Sequence, residues 1–208
     1  MQSDWLSVLA AAAGSYLLGS VPFGLLLARA RGVDIRSVGS GNIGATNVFR
    51  AVGKGPGLLT FFLDFLKGLL PVLAAGHWLA PDTAAPILCG CAAIAGHIWT
   101  VFAQFRGGKG VATGAGVVVG IAWEAVIIGL ICWIIVFALT RYVSLASIIT
   151  AGSVGISGWI LYPGRRLVPA TLTLLAALVI VRHRSNIVRL LKGTENRFDF
   201  KKKKEGAE

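Results

Sequence analysis

The stretch VATGAGVVVGIAWEAVIIGLICWIIVFALT, residues 111–140, decides how this chain folds. Its thirty residues carry a single charged side chain, Glu124. A bilayer crossing needs about 20 apolar residues. The run therefore reads either as one tilted helix or as two short crossings broken at Trp123 and Glu124. The flanking charges choose between them, because cationic loops are retained on the cytoplasmic face. Loop 29–56 holds Arg29, Arg31, Arg36, Arg50 and Lys54 against Asp34, a net of +4. Loop 104–110 adds Arg106 and Lys109, and residues 182–208 hold nine basic and four acidic side chains. All three share one face only if an even number of crossings separates Lys109 from the tail. That makes residues 111–140 two crossings.

Further apolar runs cover 5–28, 57–79, 84–103, 143–162 and 167–181. The expectation is an all-α integral membrane protein of seven transmembrane helices, some short, with the N-terminus outside and the C-terminus cytoplasmic. Charge on the inner side then sums to +12 and on the outer side to −1. Arg165 and Arg166 fall on the outer face against the rule, and six crossings are the alternative. The first run is too long for a signal peptide and lacks a basic start. One transmembrane catalytic domain over 1–197 is expected, followed by a basic cytoplasmic tail, 198–208. Lysines 201–204 in that tail would lie against anionic lipid headgroups.

Composition agrees. Of 208 residues, 55% are hydrophobic and only 14% charged, where a soluble domain carries roughly 25% charged residues to cover its surface. The mean hydropathy is +0.75. The outer surface is therefore lipid-facing. The net charge of +11 would suit nucleic acid only on a solvated basic domain, and no polar stretch is long enough. Cys89, Cys91 and Cys132 sit in apolar runs, which argues against a disulfide framework or a zinc site.

Three polar stretches interrupt the apolar runs. The first reads Gly39-Ser40-Gly41-Asn42-Ile43-Gly44-Ala45-Thr46-Asn47, then Arg50. Glycines that adopt positive φ expose successive N–H groups as an anion cradle, and a plain turn has no need of this set of hydroxyls and amides. The second, Phe105-Arg106-Gly107-Gly108-Lys109-Gly110-Val111-Ala112-Thr113, resembles a Walker A loop but fails the test. Ala103 stands for the first Gly and Gly110 for the Ser or Thr that holds magnesium. What remains is a Gly-rich turn into a helix N-terminus, which favours an anion. The third, Arg182-His183-Arg184-Ser185-Asn186-Ile187, then Arg189, Gly193, Thr194 and Glu195, puts His183 and Asn186 on one helical face.

Asp64 and Lys67 lie inside an apolar run. Each would cost about 2.5–3.5 kcal/mol at a bilayer centre, so a mutual ion pair or a polar cavity is expected. His97 poses the same question. His77 and Asp82 form an H-x4-D pair like that of thioester-dependent acyltransferases, but Pro81 interrupts it and the topology puts it on the outer face.

Together with Gly19-Ser20-Val21-Pro22-Phe23-Gly24, Asp64-Phe65-Leu66-Lys67-Gly68, Gly96-His97 and Arg141-Tyr142-Val143-Ser144, these stretches resemble the bacterial membrane acyl-phosphate:glycerol-3-phosphate acyltransferases, in the family's order over almost the whole chain. Departures are modest: Thr100 for a frequent Pro, Arg106 for Lys, Ser185 for Glu. The resemblance implies a multi-pass inner-membrane enzyme whose site faces the cytoplasm, needing no metal, cofactor or coenzyme A and no nucleic acid partner. It would transfer a fatty acyl group from acyl phosphate to the 1-hydroxyl of glycerol 3-phosphate, the first acylation of phospholipid synthesis. Ser40, Arg50, Lys109, His183 and Asn186 are the implied catalytic residues, and Glu195 looks structural. Substrate-binding positions are expected at Gly41, Asn42, Gly44, Thr46, Asn47, Lys67, His97, Gly107, Gly108, Gly110, Thr113 and Ser144.

The chemistry fits independently. Acyl phosphate is a mixed anhydride with a good leaving group, and cysteines embedded in apolar helix disfavour the thiolate. Arg50, Lys109 and the N–H groups of loops 39–46 and 107–110 would orient phosphates and stabilise charge, with a donor phosphate oxygen as base and His183 orienting the acceptor. The competing classes are an organic-anion transporter, which would place its site near the midplane and within reach of both faces, and a scaffold that recruits lipid enzymes.

Overall fold

The computed structural model describes residues 5–79 and 84–198. Among them the structure is all-helical. The 5–28 run, expected as one helix, is two: α1 (Trp5–Ser20) and α2 (Phe23–Arg29). Pro22 offers no N–H to the preceding turn, so Val21 N–H closes a tighter turn on Leu18 O (3.2 Å). The carbonyls at the break are taken by side chains from elsewhere, Ser20 O by Thr100 Oγ1 and Val21 O by Lys67 Nζ (2.7 Å).

Next come α3 (Ala45–Ala51), α4 (Lys54–Trp78) and α5 (Ala85–Ile98). A single 3-10 turn (Val101–Ala103) follows. The 111–140 run divides as expected into α6 (Val111–Ile121) and α7 (Trp123–Thr140), with the extended Ala122 between them, one residue ahead of the expected break. The chain closes with α8 (Val143–Leu161), α9 (Leu167–Arg182) and α10 (Arg184–Leu191).

Among the described residues, five segments are long and apolar enough to cross a membrane: Trp5–Arg29, Lys54–Trp78, Ala85–Ala103, Trp123–Thr140 and Val143–Leu161. A sixth exists if α9 and α10, bent by 57°, count as one. The eleven-residue α6 rises only about 16 Å, half of a hydrocarbon core of about 30 Å.

Close backbone approach holds the bundle together. A Cβ at Gly68 would run into Thr113 O and one at Gly116 into Phe65 O, which locks α4 to α6. Gly19 against Ala93 O and Gly96 against Tyr16 O do the same for α1 and α5. Small residues serve this purpose where lipid removes the hydrophobic drive between helices. Val72, Ile94, Ile98, Val117 and Leu172 form the core, while Leu25, Ala28, Ile35, Ile43 and Val48 pin the 30–52 segment beneath it.

The polar loops meet at one end. An Arg36 Nη2 donates to Arg106 O (2.8 Å), an Arg182 Nη2 to Gly108 O (3.2 Å), and Phe198 N–H to Arg141 O (2.8 Å). At the other end Tyr162 donates to the Glu124 carboxylate. His77 closes the last turn of α4, while its sequence partner Asp82 lies outside the described residues, as do lysines 201–204.

Candidate active site

Loop 30–44 is shaped by two glycines and two asparagines. Gly39 (φ +59°) and Gly41 (φ +67°) occupy the left-handed region, which side chains disfavour. Gly44, at φ −76°, does not need it, and its N–H goes to Asn42 Oδ1 (3.2 Å). Asn47 is buried and closes the loop from inside. Its Oδ1 accepts from Ser40 N–H (3.0 Å), and its Nδ2 donates to Ile35 O (3.2 Å) and Val38 O (3.0 Å). Asn47 thereby leaves Ser40 on the exposed rim, with Thr46 half-buried in the first turn of α3. That short helix, unforeseen in a Gly-rich stretch, carries Arg50 in its last turn. One Arg50 Nη2 donates to Asn196 O (3.2 Å), and the guanidinium carbon lies 5.8 Å from the Phe198 ring centre.

The second stretch reverses the chain through Gln104 (φ 56°) and Phe105 (φ 58°), consecutive non-glycines in the left-handed region. Gly107 N–H then donates to Ile98 O (3.0 Å) and Gly108 N–H to His97 O (3.2 Å). These two N–H groups, expected to line a phosphate, instead cap the end of α5. The turn packs so closely that a Cβ on Gly107 would collide with His97 O, and one on Gly108 with the His97 ring. Gly110 (φ +84°) opens α6, and Thr113 is fully buried where α6 meets Gly68. The first turn of α6 presents N–H groups that have no intrahelical partner, with Lys109 beside them.

The third stretch places His183 at the bend between α9 and α10. Its Nδ1 lies 2.8 Å from Val179 O. A carbonyl only accepts, so Nδ1 carries the proton and Nε2 of the neutral ring is an acceptor. His183 and Asn186 are both buried, as expected for one helical face.

The second and third stretches join where Lys109 Nζ donates to Asn186 Oδ1. Asn186 Nδ2 continues to Glu195 Oε1 (2.7 Å), which also accepts from Ser144 Oγ (2.8 Å), while Arg189 Nε holds Glu195 Oε2 (2.8 Å). Burial raises the Glu195 pKa, but the bonds from Asn186, Ser144 and Arg189 outweigh it and hold the carboxyl below its ordinary value. Lys109 is pushed down to about 8, by burial first, with Arg189, Arg182 and Arg50 adding to the effect and Glu195 opposing it. Lys109 thus feels three arginines and a single carboxylate. The surplus charge is what an anion would relieve.

Lys67 and His97 gather with Asp64 beside the turn that carries Lys109, the His97 ring lying against Gly108. Both are buried, Lys67 Nζ sits 2.8 Å from Asp64 Oδ1 and 5.5 Å from the Phe23 ring centre, and His97 Nδ1 is 3.7 Å from the same carboxylate oxygen. The expected ion pair is present. Asn47, Lys67, His97 and Ser144, expected against substrate, thus direct their polar groups to the protein.

Sequence reasoning missed Arg182, Thr100 and Phe198 as parts of the assembly. A basic residue ending a helix carries the same signal whether it marks topology or grips Gly108 O.

A helical bundle with long apolar spans and a cluster of basic side chains about its polar loops defines an α-helical membrane protein. The family model for glycerol-3-phosphate acyltransferase matches residues 9–193. The glycerol-3-phosphate acyltransferase of Geotalea daltonii is 49% identical over 185 residues, 89% of this chain and 94% of the relative. That of Aquifex aeolicus is 47% identical over 88% of this chain and 95% of its own. The glycerol 3-phosphate form of the integral membrane acyltransferase PlsY superposes with a TM-score of 0.88 at 45% identity, covering 93% of this chain and 96% of that one. Its lysophosphatidic acid form gives 0.85 at 44%, with the same coverage. The chain belongs to the glycerol-3-phosphate acyltransferase family. It is an acyltransferase and a multi-pass membrane protein.

Proposed function

We propose that this chain transfers a fatty acyl group from acyl phosphate to the 1-hydroxyl of sn-glycerol 3-phosphate, giving lysophosphatidate and inorganic phosphate. The single observation that carries the reading is the Lys109–Asn186–Glu195–Arg189 hydrogen-bonded chain, which sets Lys109 within electrostatic reach of Arg50, Arg182 and Arg189. Both substrates bring phosphate to that surplus of positive charge. The PlsY forms with glycerol 3-phosphate and lysophosphatidic acid agree with an acceptor and product of this kind.

Glycerol O1 attacks the acyl carbon, the bond from that carbon to the phosphate oxygen breaks, and the hydroxyl proton passes to a phosphate oxygen of the donor. Lys109 and the first turn of α6 stabilise the charge that moves onto the leaving phosphate, and Arg50 holds the phosphate of glycerol 3-phosphate. Ser40, Asn42 and Thr46, with Gly41 and Gly44, line the rim, while Gly107, Gly108 and Gly110 shape the turn that carries Lys109. His183 and Asn186 orient the acceptor. Behind His183 stands the Val179 carbonyl rather than a carboxylate. Burial, with the nearby Lys109, outweighs the support of that carbonyl and of Glu195, holds the ring pKa down to about 4 and disfavours the imidazolium that a general base must become. Asn47, Lys67, His97 and Ser144 hold the walls. The reaction needs neither metal nor cofactor.

The chain crosses the inner membrane seven times, with the N-terminus outside and the site facing the cytoplasm. Support comes from the basic loops meeting at one end of the bundle and from charge parity. One catalytic domain occupies 1–197, and the tail, 198–208, starts with Phe198 packed onto it.

Phosphate release from the purified protein, given palmitoyl phosphate and glycerol 3-phosphate, tests the reaction, with acyl-CoA as control donor. Release with acyl phosphate alone is expected. No release, or equal use of acyl-CoA, defeats the assignment.

A further inference from the structure

Residues 194–198 lie beyond the stretch that the family model matches, yet they tie Arg189 and Arg50 to the turn between α7 and α8. Gly193 (φ +69°) turns the chain back from α10, and Thr194 N–H closes on Arg189 O (2.9 Å). Glu195 anchors one end of this strap. At the other, Arg197 Nε donates to Thr140 O (3.1 Å) and Phe198 N–H to Arg141 O (2.8 Å). The Phe198 ring lies between Phe49 of α3 and Phe137 of α7, with centroids 5.5 Å and 5.6 Å away.

Arg50 meets the strap twice, through Asn196 O and across the Phe198 ring. Arg50 is long and exposed, on a seven-residue helix. Left alone, such a side chain samples many rotamers and holds a phosphate poorly. An aromatic face attracts a guanidinium through its quadrupole, and the flat fork can donate to a carbonyl and a phosphate at once, which a lysine cannot reproduce.

We infer that Phe198, with the main-chain carbonyl of Asn196, is a positioning element for Arg50: the ring attracts the guanidinium from 5.8 Å, the carbonyl takes one N–H, and the remaining donors are left for the phosphate of glycerol 3-phosphate beside Lys109. Phe198 itself does not touch substrate. The inference rests on the reading of Arg50 as a phosphate ligand. It separates from simple packing because an aliphatic residue of similar size would fill the space between Phe49 and Phe137 equally well.

The test is a double-mutant cycle on the full chain in detergent. Phe198→Leu and Phe198→Tyr are made in the wild-type and Arg50→Lys backgrounds, and kcat and KM for glycerol 3-phosphate are measured at saturating palmitoyl phosphate. Phe198→Leu is expected to raise KM roughly threefold to tenfold with kcat within about twofold, and Phe198→Tyr to restore the wild-type KM. In the Arg50→Lys background, where KM is already raised, Phe198→Leu is expected to add less than about twofold. A wild-type KM in Phe198→Leu, a full additional effect in Arg50→Lys, or failure of Phe198→Tyr to rescue each overturns the positioning role. An unchanged KM in Arg50→Lys alone marks a different failure: Arg50 is then no phosphate ligand, and the inference falls with it.

Discussion

Raising the pH from 7 to 9 should strip the charge from Lys109 and with it much of the enzyme's hold on anionic substrate. An ordinary lysine keeps its proton through this range, but burial and the neighbouring Arg189, Arg182 and Arg50 bring this one down to about 8. A lowered pKa means the cation persists below 8 and is lost as pH rises through that value. Lys109 is then about nine-tenths charged at pH 7 and about one-tenth at pH 9, so kcat/KM, which reports the free enzyme, falls about tenfold. A bound phosphate beside Nζ favours the charged form, so the limb in kcat lies at higher pH than the limb in kcat/KM. The assay is initial-rate phosphate release from pH 6 to 10 at subsaturating glycerol 3-phosphate, with folding followed by circular dichroism. In Lys109→Arg, whose charge does not titrate here, the alkaline limb should vanish, although the level falls. A flat profile to pH 10 in the wild type, or an unchanged limb in Lys109→Arg, would refute the reasoning.

Two substitutions probe the scaffold. Gly107→Ala sets a methyl against His97 O, a main-chain atom that cannot give way, so the turn and Lys109 must shift; kcat/KM should drop about 100-fold, and a near-wild-type rate in a helical, soluble variant would sink this. Lys67→Met strands the buried Asp64 carboxylate and leaves Val21 O without its side-chain donor. It should destabilise by about 3–5 kcal/mol, read by thermal unfolding of tryptophan fluorescence in detergent. Asp64→Asn/Lys67→Met should recover much of that loss, and a single variant as stable as wild type would show that the ion pair holds nothing.

The apolar runs were legible because a backbone in lipid must satisfy itself by forming helix, which makes length and composition nearly sufficient. The division of 111–140 followed from charge bookkeeping. The break at Pro22 did not, although Pro22 was visible, because what makes it tolerable lies 46 and 80 residues away in Lys67 and Thr100. Likewise, α3 hid in a stretch whose glycines read as loop. At the site, spacing alone put His183 and Asn186 on one face. The link from Lys109 to Asn186 spans 77 residues, beyond any local pattern. The glycines at 107 and 108 misled for a physical reason: an N–H that caps a helix and one that cradles an anion ask the same freedom of the backbone.

The interruption at Val21 and Pro22 also constrains biogenesis. Synthesis runs from the N-terminus, so Trp5–Arg29 emerges from the ribosome before Lys67 and Thr100 exist. Until α4 and α5 arrive, Ser20 O lacks its Thr100 partner and Val21 O keeps only Phe23 N–H (3.1 Å), so both would draw on water. A nascent chain arrested after its first segment would therefore carry an unsealed defect.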